Sequence, residues 1–468
     1  MHTLRVVWRL GPLALSFLRD FHRWVFWGPP VPRTAEVHQR RARRLVRTIV
    51  GLGPTFVKMA QVFATRADLI PEPYLSELGT LVDQVPPMSF ETVARTIREA
   101  YGRDVDDVFD DFEREPIAAA SLGQVHRARL RLECPKSPEG PTGRVIAVKI
   151  LRPNVERNVA ADLHAASRIL SAVEKRVHHP EVARIRSVIE EFKIRIYEEM
   201  DFRLEAEYAT EVRANFTGNA DVIVPEVIHE LVRQRVLVLE FVEGTRIDKL
   251  DASKVDVSRV VATLVELYIQ MMLVDGLFHA DPHPGNLMVS PAGQIVLVDF
   301  GMTVRVPIET RRAIMHTALA AVRRNADEVA DGFMKLGLFA PDIDRATVKW
   351  LADFLITHAY ARTTARERID MLLADRVMKT LFDYPVILPQ NLVYFARTAA
   401  LLEGVGTRYD PYFQVIPVAS PVILRMRSRI LASLGEKVEP QLGDVAMVAG
   451  HALGRAARWV VDRAKSLR

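Results

Sequence analysis

Residues His279–Gly301 read HADPHPGNLMVSPAGQIVLVDFG. The stretch carries Asp281 and Asn286 five positions apart, then Ser290-Pro291-Ala292-Gly293, an apolar run Ile295–Val298, and Asp299 directly before Phe300-Gly301. Proline and glycine between two apolar runs predict a β-hairpin. Asp281 and Asn286 then fall on the loop before the hairpin, and Asp299 on the loop after it. Two carboxylates and a carboxamide placed this way offer a proton acceptor and hard oxygen ligands for a divalent cation. Phosphoryl transfer from a magnesium nucleotide uses these groups in this order, D-x-x-x-x-N and then D-F-G. Each piece alone is weak evidence; the ordered set around one hairpin is specific.

The bulk properties allow such a protein and exclude several others. A chain of 468 residues can bury a large core and form more than one lobe. A net charge of +5 is modest and gives no argument for nucleic acid. The basic excess is uneven, with Arg5, Arg9, Arg19, Arg23, Arg33, Arg40, Arg41, Arg43, Arg44 and Arg47 set against only Asp20 and Glu36 in the first fifty residues. That asymmetry points to an anionic neighbour, a phospholipid headgroup layer first. Cys134 is the sole cysteine, which removes disulfide frameworks and thiolate metal sites and fits a reducing compartment. The most apolar segment, Val260–Val274, is interrupted by Glu266 and reads as a buried core helix, not a membrane span. Leu10–Leu18 has no small-residue cleavage site before Arg19-Asp20, which argues against a secretory signal.

Residues 4–27 follow a helical period, with Arg5, Arg9, Arg19 and Arg23 on one face and Leu4, Trp8, Leu15 and Phe21 on others. Gly11-Pro12 predicts a kink or a split, and the apolar stripe suits either a membrane interface or the protein's own core. Gly28–Pro32 reads as a stiff linker. The helical stretch from Thr34 to Gly102 places Lys58 and Gln61 on one face, by spacing alone a polar surface stripe. Ala118-Ala119-Ala120-Ser121 then stand where a glycine-rich phosphate loop is usual, with only Gly123 remaining. The strand after the turn, Val145–Ile150, carries Lys149, which can reach the phosphates of ATP. Read without the downstream motifs, Lys149 would be an edge-strand lysine turned to solvent. A long helical stretch to Asn215 offers Glu199, Asp201 and Glu205 as partners for that lysine, and spacing does not choose among them. Val222–Val227 and Val236–Phe241 read as two strands around a polar turn, and the backbone of Glu240 and Val242 falls where a hinge would meet adenine. No A-P-E follows Gly301, so the activation segment is much shortened, which weakens the case for a protein substrate. The tail from Asp444 is basic around Trp459.

The fold class expected is α+β: a two-lobed, protein-kinase-like fold with an N-terminal helical extension and helices inserted in the N-lobe. The divisions expected are 1–32, a basic amphipathic segment and linker; 33–115, the helical extension; 116–243, the N-lobe; 244–425, the C-lobe; and 426–468, a basic tail.

Together these residues resemble the UbiB family, also called AarF-domain or ADCK-like atypical kinases. The markers are the K-x-G-Q-like helix at Lys58–Gln61, the alanine loop, V-A-V-K, E-x-D at Glu199–Asp201, H-x-D-x-H-P-G-N and D-F-G. The resemblance runs from about Leu52 to Val422. It implies ATP and Mg2+ as cofactors, with Asp281 as catalytic base, Lys149 on the phosphates and paired with Glu205, and Asn286 and Asp299 on the metal. It implies that Ala118, Ala119, Ala120 and Ser121 replace the glycine-rich loop. It also implies a regulatory extension in which Lys58 and Gln61 cover the site, with Glu199 and Asp201 facing Lys58. The family further implies support of isoprenoid quinone biosynthesis at the cytoplasmic face of an inner membrane, with lipid or quinone precursors and quinone-biosynthesis enzymes as partners. A departure is Ala60, where the family has glycine. Two other readings compete: a small-molecule kinase of the choline or aminoglycoside type, and a non-catalytic ATP-gated lipid-binding protein. The Lys58–Gln61 helix and the alanine loop speak against the first.

Overall fold

The computed structural model describes residues 2–21, 33–131, 143–359 and 389–436, apart from 65, 67–69, 82–84, 176–179, 282 and 340–341, and adds 363, 364 and 367. Cys134, the linker at Gly28–Pro32 and the tail from Asp444 lie outside the described residues. The chain forms two compact units: Met1–Glu211 with Pro225–Val242 and Asp299–Gly301, and Val212–Val224 with Glu243–Val298 and Met302–Arg468.

The first unit is built on an antiparallel sheet of β1 (Phe109–Asp110), β3 (Gly123–Leu130), β4 (Val145–Leu151) and β6 (Val236–Glu240), in that order, with β2 (Ala118–Ala119) also paired to β3. The β-branched run VIAVKIL favours an extended strand, and its period of two sorts the side chains. Ile146, Val148 and Ile150 are fully buried on one face, in a core shared with Val93 and Ile97 of the helix Phe90–Tyr101. Lys149 therefore stands on the opposite face, its register fixed against Val125 and Leu237. The helices Val155–Glu174, Pro180–Glu199 and Phe202–Asn215 follow β4, as the inserted helices should.

Ahead of the sheet lie α1 (His2–Phe21), α2 (Ala35–Leu52) and α3 (Pro54–Phe63). Gly53 breaks α2 from α3 in the left-handed region at φ 122°, and Pro54 opens the next helix where its missing N–H costs nothing. Of the kink or split expected at Gly11-Pro12, the split does not occur: the helix runs on through Pro12. Val6 and Leu13 are buried on either side of that proline, which offsets the hydrogen bond it removes. Val6 joins Ile49, Phe56, Val57 and Ala60 in one core cluster. The stripe is thus divided: part of it docks on the protein, while Trp8 is 78% exposed and Leu15 63%.

In the second unit, β7 (Thr245–Arg246), β9 (Leu287–Val289), β10 (Ile295–Leu297) and β5 (Val222–Ile223) form one sheet, and β8 (Leu277–His279) pairs with β11 (Thr303–Arg305) in another. The β9–β10 hairpin is the expected one, closed by Gly293 N donating to Ser290 O at 2.9 Å. Val222–Val227 corrects the sequence reading. It is not a single strand of a hairpin with β6: Val222 and Ile223 run parallel to β10, while Val227 bridges Leu239. Pro225, with no N–H to give a ladder, separates the two pairings. The helix Val257–Ile269 continues as a π-helix to Asp275 and ends at Gly276 with φ 69°. Val257–Asp275 is long and apolar enough to cross a membrane by length and composition, but 67% of that window is buried inside the protein, as a core helix would be. After β11 the next helix starts at Ile308, leaving little activation segment.

Candidate active site

Within the first unit, Lys149 is clasped by two carboxylates. Its Nζ donates to Glu205 Oε1 and Oε2 at 2.7 and 2.9 Å and to Asp299 Oδ2 at 3.1 Å. The Phe202 ring lies 5.2 Å from the ammonium. Glu205 is delivered by the first turn of the helix Phe202–Asn215. Asp201 precedes that helix and accepts from Arg203 N at 3.1 Å in the manner of an N-cap, so the register that turns Glu205 toward Lys149 is set locally. Phe300 N donates to Glu205 Oε1 at 3.3 Å, and Gly301 N to Asp299 Oδ1 at 2.9 Å. Burial alone would lower the Lys149 pKa; Asp299 and Glu205 more than offset it and hold the ammonium above its usual range. Glu205 is pushed up by burial and by the charge of Asp299, against the pull of Lys149. One cation faces two carboxylates, a local excess of negative charge that a divalent cation would offset.

The alanine loop is a tight hairpin. Ala118 pairs with Val125, Ala119 with Gln124, and Ala120 N donates to Gly123 O at 2.8 Å. Arg152 Nε donates to Ala120 O at 3.1 Å and ties the turn to the chain beyond β4. Gly123 is needed for space: a methyl there would fall 2.5 Å from Ile150 O. Ser121 is buried, and Ala118 and Ala120 are exposed. Beneath the loop runs a polar chain that the sequence did not reveal. Gln124 Oε1 accepts from Met88 N at 2.6 Å, Gln124 Nε2 meets His126 Nε2 at 2.7 Å, and His126 Nδ1 meets Glu113 O at 2.8 Å. At the expected hinge, Glu240 is held by Arg144, which also binds Glu226. The amide of Glu240 donates to Glu226 O, and that of Phe241 to Val145 O. The first unit's segment ends at Val242.

In the same unit, α3 carries Lys58, whose Nζ forms an ion pair with Glu199, and Gln61, whose Nε2 donates to Leu81 O at 3.2 Å. Asp201, expected to face Lys58 together with Glu199, has its carboxylate taken in a fork by Arg203 at 2.9 and 2.6 Å, which lowers its pKa.

The second unit holds the other half of the set. Ala280 N donates to Met302 O at 2.8 Å and anchors the start of the loop. Asn286 N donates to His283 O at 2.8 Å. Asn286 Nδ2 reaches back to Asp281 O at 3.1 Å and Asp281 Oδ2 at 3.2 Å. Arg397 Nη2 donates to Asp281 Oδ1 at 2.6 Å. His279, just before the loop, is buried with Nδ1 3.2 Å from Tyr268 Oη. Burial and the charge of Asp281 raise the Tyr268 pKa.

The structure thus gathers Lys149, Glu205 and Asp299 in one unit and Asp281 with Asn286 in the other. No group of three or more His, Cys, Asp or Glu that could hold a metal is present among the described residues. Arg397 gave no sequence signal: it lies 116 positions after Asp281, on the helix Gln390–Tyr409.

The ABC1 atypical kinase-like domain matches residues 80–332. An uncharacterized Synechocystis protein, sll1770, is 31% identical over 422 residues, covering 88% of this chain and 70% of its own. The Arabidopsis thaliana chloroplastic protein ACTIVITY OF BC1 COMPLEX KINASE 3 is 32% identical over 82% of this chain, which spans 53% of that relative's length. The solved complex of Rv3197 with erythromycin from Mycobacterium tuberculosis aligns with a TM-score of 0.56 at 23% identity, covering 83% of this chain and 97% of that one, a likeness of fold. The chain belongs to the ABC1 atypical kinase family, and its α+β architecture is kinase-like.

Proposed function

We propose that the chain is a magnesium-dependent atypical kinase or ATPase that works at a membrane surface in support of isoprenoid quinone biosynthesis. The observation that carries the catalytic part is Lys149 clasped between Glu205 and Asp299. In this reading Lys149 neutralises phosphate charge and Glu205 aims it. The loop Ala118–Ser121 covers the phosphates, and the backbone at Glu240 and Val242 takes the adenine. Asp281 accepts the proton of the attacking hydroxyl or water. Asn286 and Asp299 would hold magnesium, which when bound offsets the charge that develops on the transferred phosphoryl group. Lys58, Gln61, Glu199 and Asp201 belong to a regulatory layer. The short segment between Gly301 and the helix at Ile308 favours water or a small acceptor over a protein.

The membrane part draws support from α1 and α2. Arg9, Arg44, Arg47 and Thr48 line a cationic pocket of about 410 Å³, and Val7, Trp8 and Leu15 are exposed on the same N-terminal helix. The quinone part rests on the family resemblance. A strain lacking this chain tests the whole reading: it should lose a quinone or accumulate a precursor. Wild-type protein should restore the quinone and Asp299→Asn should not. Unchanged quinones in that strain, or full rescue by Asp299→Asn, would sink it.

A further inference from the structure

Asp281 is held from two directions inside the second unit, by Asn286 on Oδ2 at 3.2 Å and by Arg397 on Oδ1 at 2.6 Å. Arg397 comes from the helix Gln390–Tyr409, which lies beyond the 80–332 stretch that defines the family domain. Several contacts fix that helix. Phe395 packs on Phe278 with ring centroids 6.3 Å apart, three residues before Asp281. Thr398 is buried, and Tyr409 Oη donates to Ile247 O at 2.8 Å and accepts from Leu250 N at 3.1 Å. The guanidinium is therefore presented by a helix tied to its surroundings near its middle and at its C-terminal end. Its Nη1 lies 3.8 Å from Met302 Sδ, an uncharged neighbour.

An ionised carboxylate has about four lone-pair sites. Asn286 and Arg397 fill one on each oxygen, which fixes the rotation of the group while leaving sites for an incoming proton. The pair is only partly exposed, 25% for Arg397 and 28% for Asp281, so its charge is incompletely screened by water.

We propose that Arg397 is a positioning residue for Asp281. It locks the carboxylate in the orientation from which that group accepts the proton of the attacking hydroxyl or water. The inference rests on the kinase or ATPase reading of Asp281. Arg397 itself moves no proton, since a guanidinium stays charged throughout.

The test is steady-state ATP turnover by the full-length protein, with wild type, Arg397→Lys, Arg397→Ala, Asp281→Asn and the double variant compared. Arg397→Ala should lower kcat by about tenfold or more, with KM for ATP held within about twofold. Low-millimolar guanidinium should restore part of that loss, and Arg397→Lys should retain more activity than Arg397→Ala. The double variant should match Asp281→Asn, because both changes disable one unit of the machinery. Thermal unfolding of each variant shows which are folded, and Arg397→Lys carries the comparison if Arg397→Ala is not. Wild-type kcat in folded Arg397→Ala (or in Arg397→Lys if Arg397→Ala does not fold), a change confined to KM, or losses that multiply in the double variant would each overturn the proposal. Absence of turnover by wild type is a different result, since it removes the kinase or ATPase reading itself.

Discussion

Replacing Lys149 by methionine should destabilise the protein far more than replacing its partner Glu205 by glutamine. Methionine fills most of the volume of the lysine stem, so the loss is one of charge and not of packing. It leaves the Glu205 carboxylate, with a side chain 2% exposed, facing Asp299, 36% exposed, with no cation between them. Removing one partner of a buried ion pair generally costs about 3–5 kcal/mol. Water at Asp299 screens part of this, which brings the expected loss for Lys149→Met to about 2–4 kcal/mol. Glu205→Gln behaves differently. Burial and the charge of Asp299 already raise the Glu205 pKa, so its ionised form is a burden on the folded state. A neutral isostere gives up attraction to Lys149 but sheds both burdens and keeps the acceptor for Phe300 N, a net change within about 1 kcal/mol. Thermal and denaturant midpoints at pH 7.5 and pH 5 measure both. The Lys149→Met deficit should shrink at pH 5, where the orphaned carboxylates take up protons. Equal stability of Lys149→Met and wild type, or a larger loss in Glu205→Gln than in Lys149→Met, would refute this electrostatic account. Glu205→Gln should still depress ATP turnover, because Lys149 is then drawn toward Asp299.

Three further changes probe other parts of the chain. Asp275 has its pKa raised to about 6, chiefly by burial, so its stabilising contribution is complete below the ordinary value of 3.8 and is lost as pH rises through 6. Asp275→Asn should therefore raise the unfolding midpoint at pH 8, by about 1–2 kcal/mol after allowance for its partial exposure, and leave it unchanged at pH 3.5. Gly123→Ala should displace the alanine loop from β4, because the added methyl meets the Ile150 carbonyl, and should weaken ATP binding in calorimetry. Ala60→Gly, inside α3, should lower the melting midpoint by the equivalent of about 1 kcal/mol. Unaltered nucleotide affinity in that variant would show that the methyl does not crowd the site.

What the sequence disclosed was carried by local pattern. The strand bearing Lys149, the Ser290–Gly293 hairpin and the inserted helices each follow from a period or a turn within a few residues. The choice of Glu205 over Glu199 as the partner of Lys149 was not legible from spacing. It depends on where Asp201 starts a helix and on which face of the sheet Lys149 leaves, and bare spacing records neither. Pro225 could have warned that Val222–Val227 is two pairings, since it denies a ladder the N–H a continuous strand uses. Pro12 misled in the other direction, because burial of Val6 and Leu13 outweighs one lost hydrogen bond. Arg397 was beyond reach, as a single arginine on a distant helix has no pattern to betray its partner.

ATP turnover of the purified full-length protein with magnesium, set beside Asp299→Asn and a chelator control, probes the phosphoryl-transfer chemistry itself. Wild type should show magnesium-dependent hydrolysis or transfer that Asp299→Asn and chelation abolish. Turnover by wild type no greater than that of folded Asp299→Asn would contradict the kinase or ATPase reading.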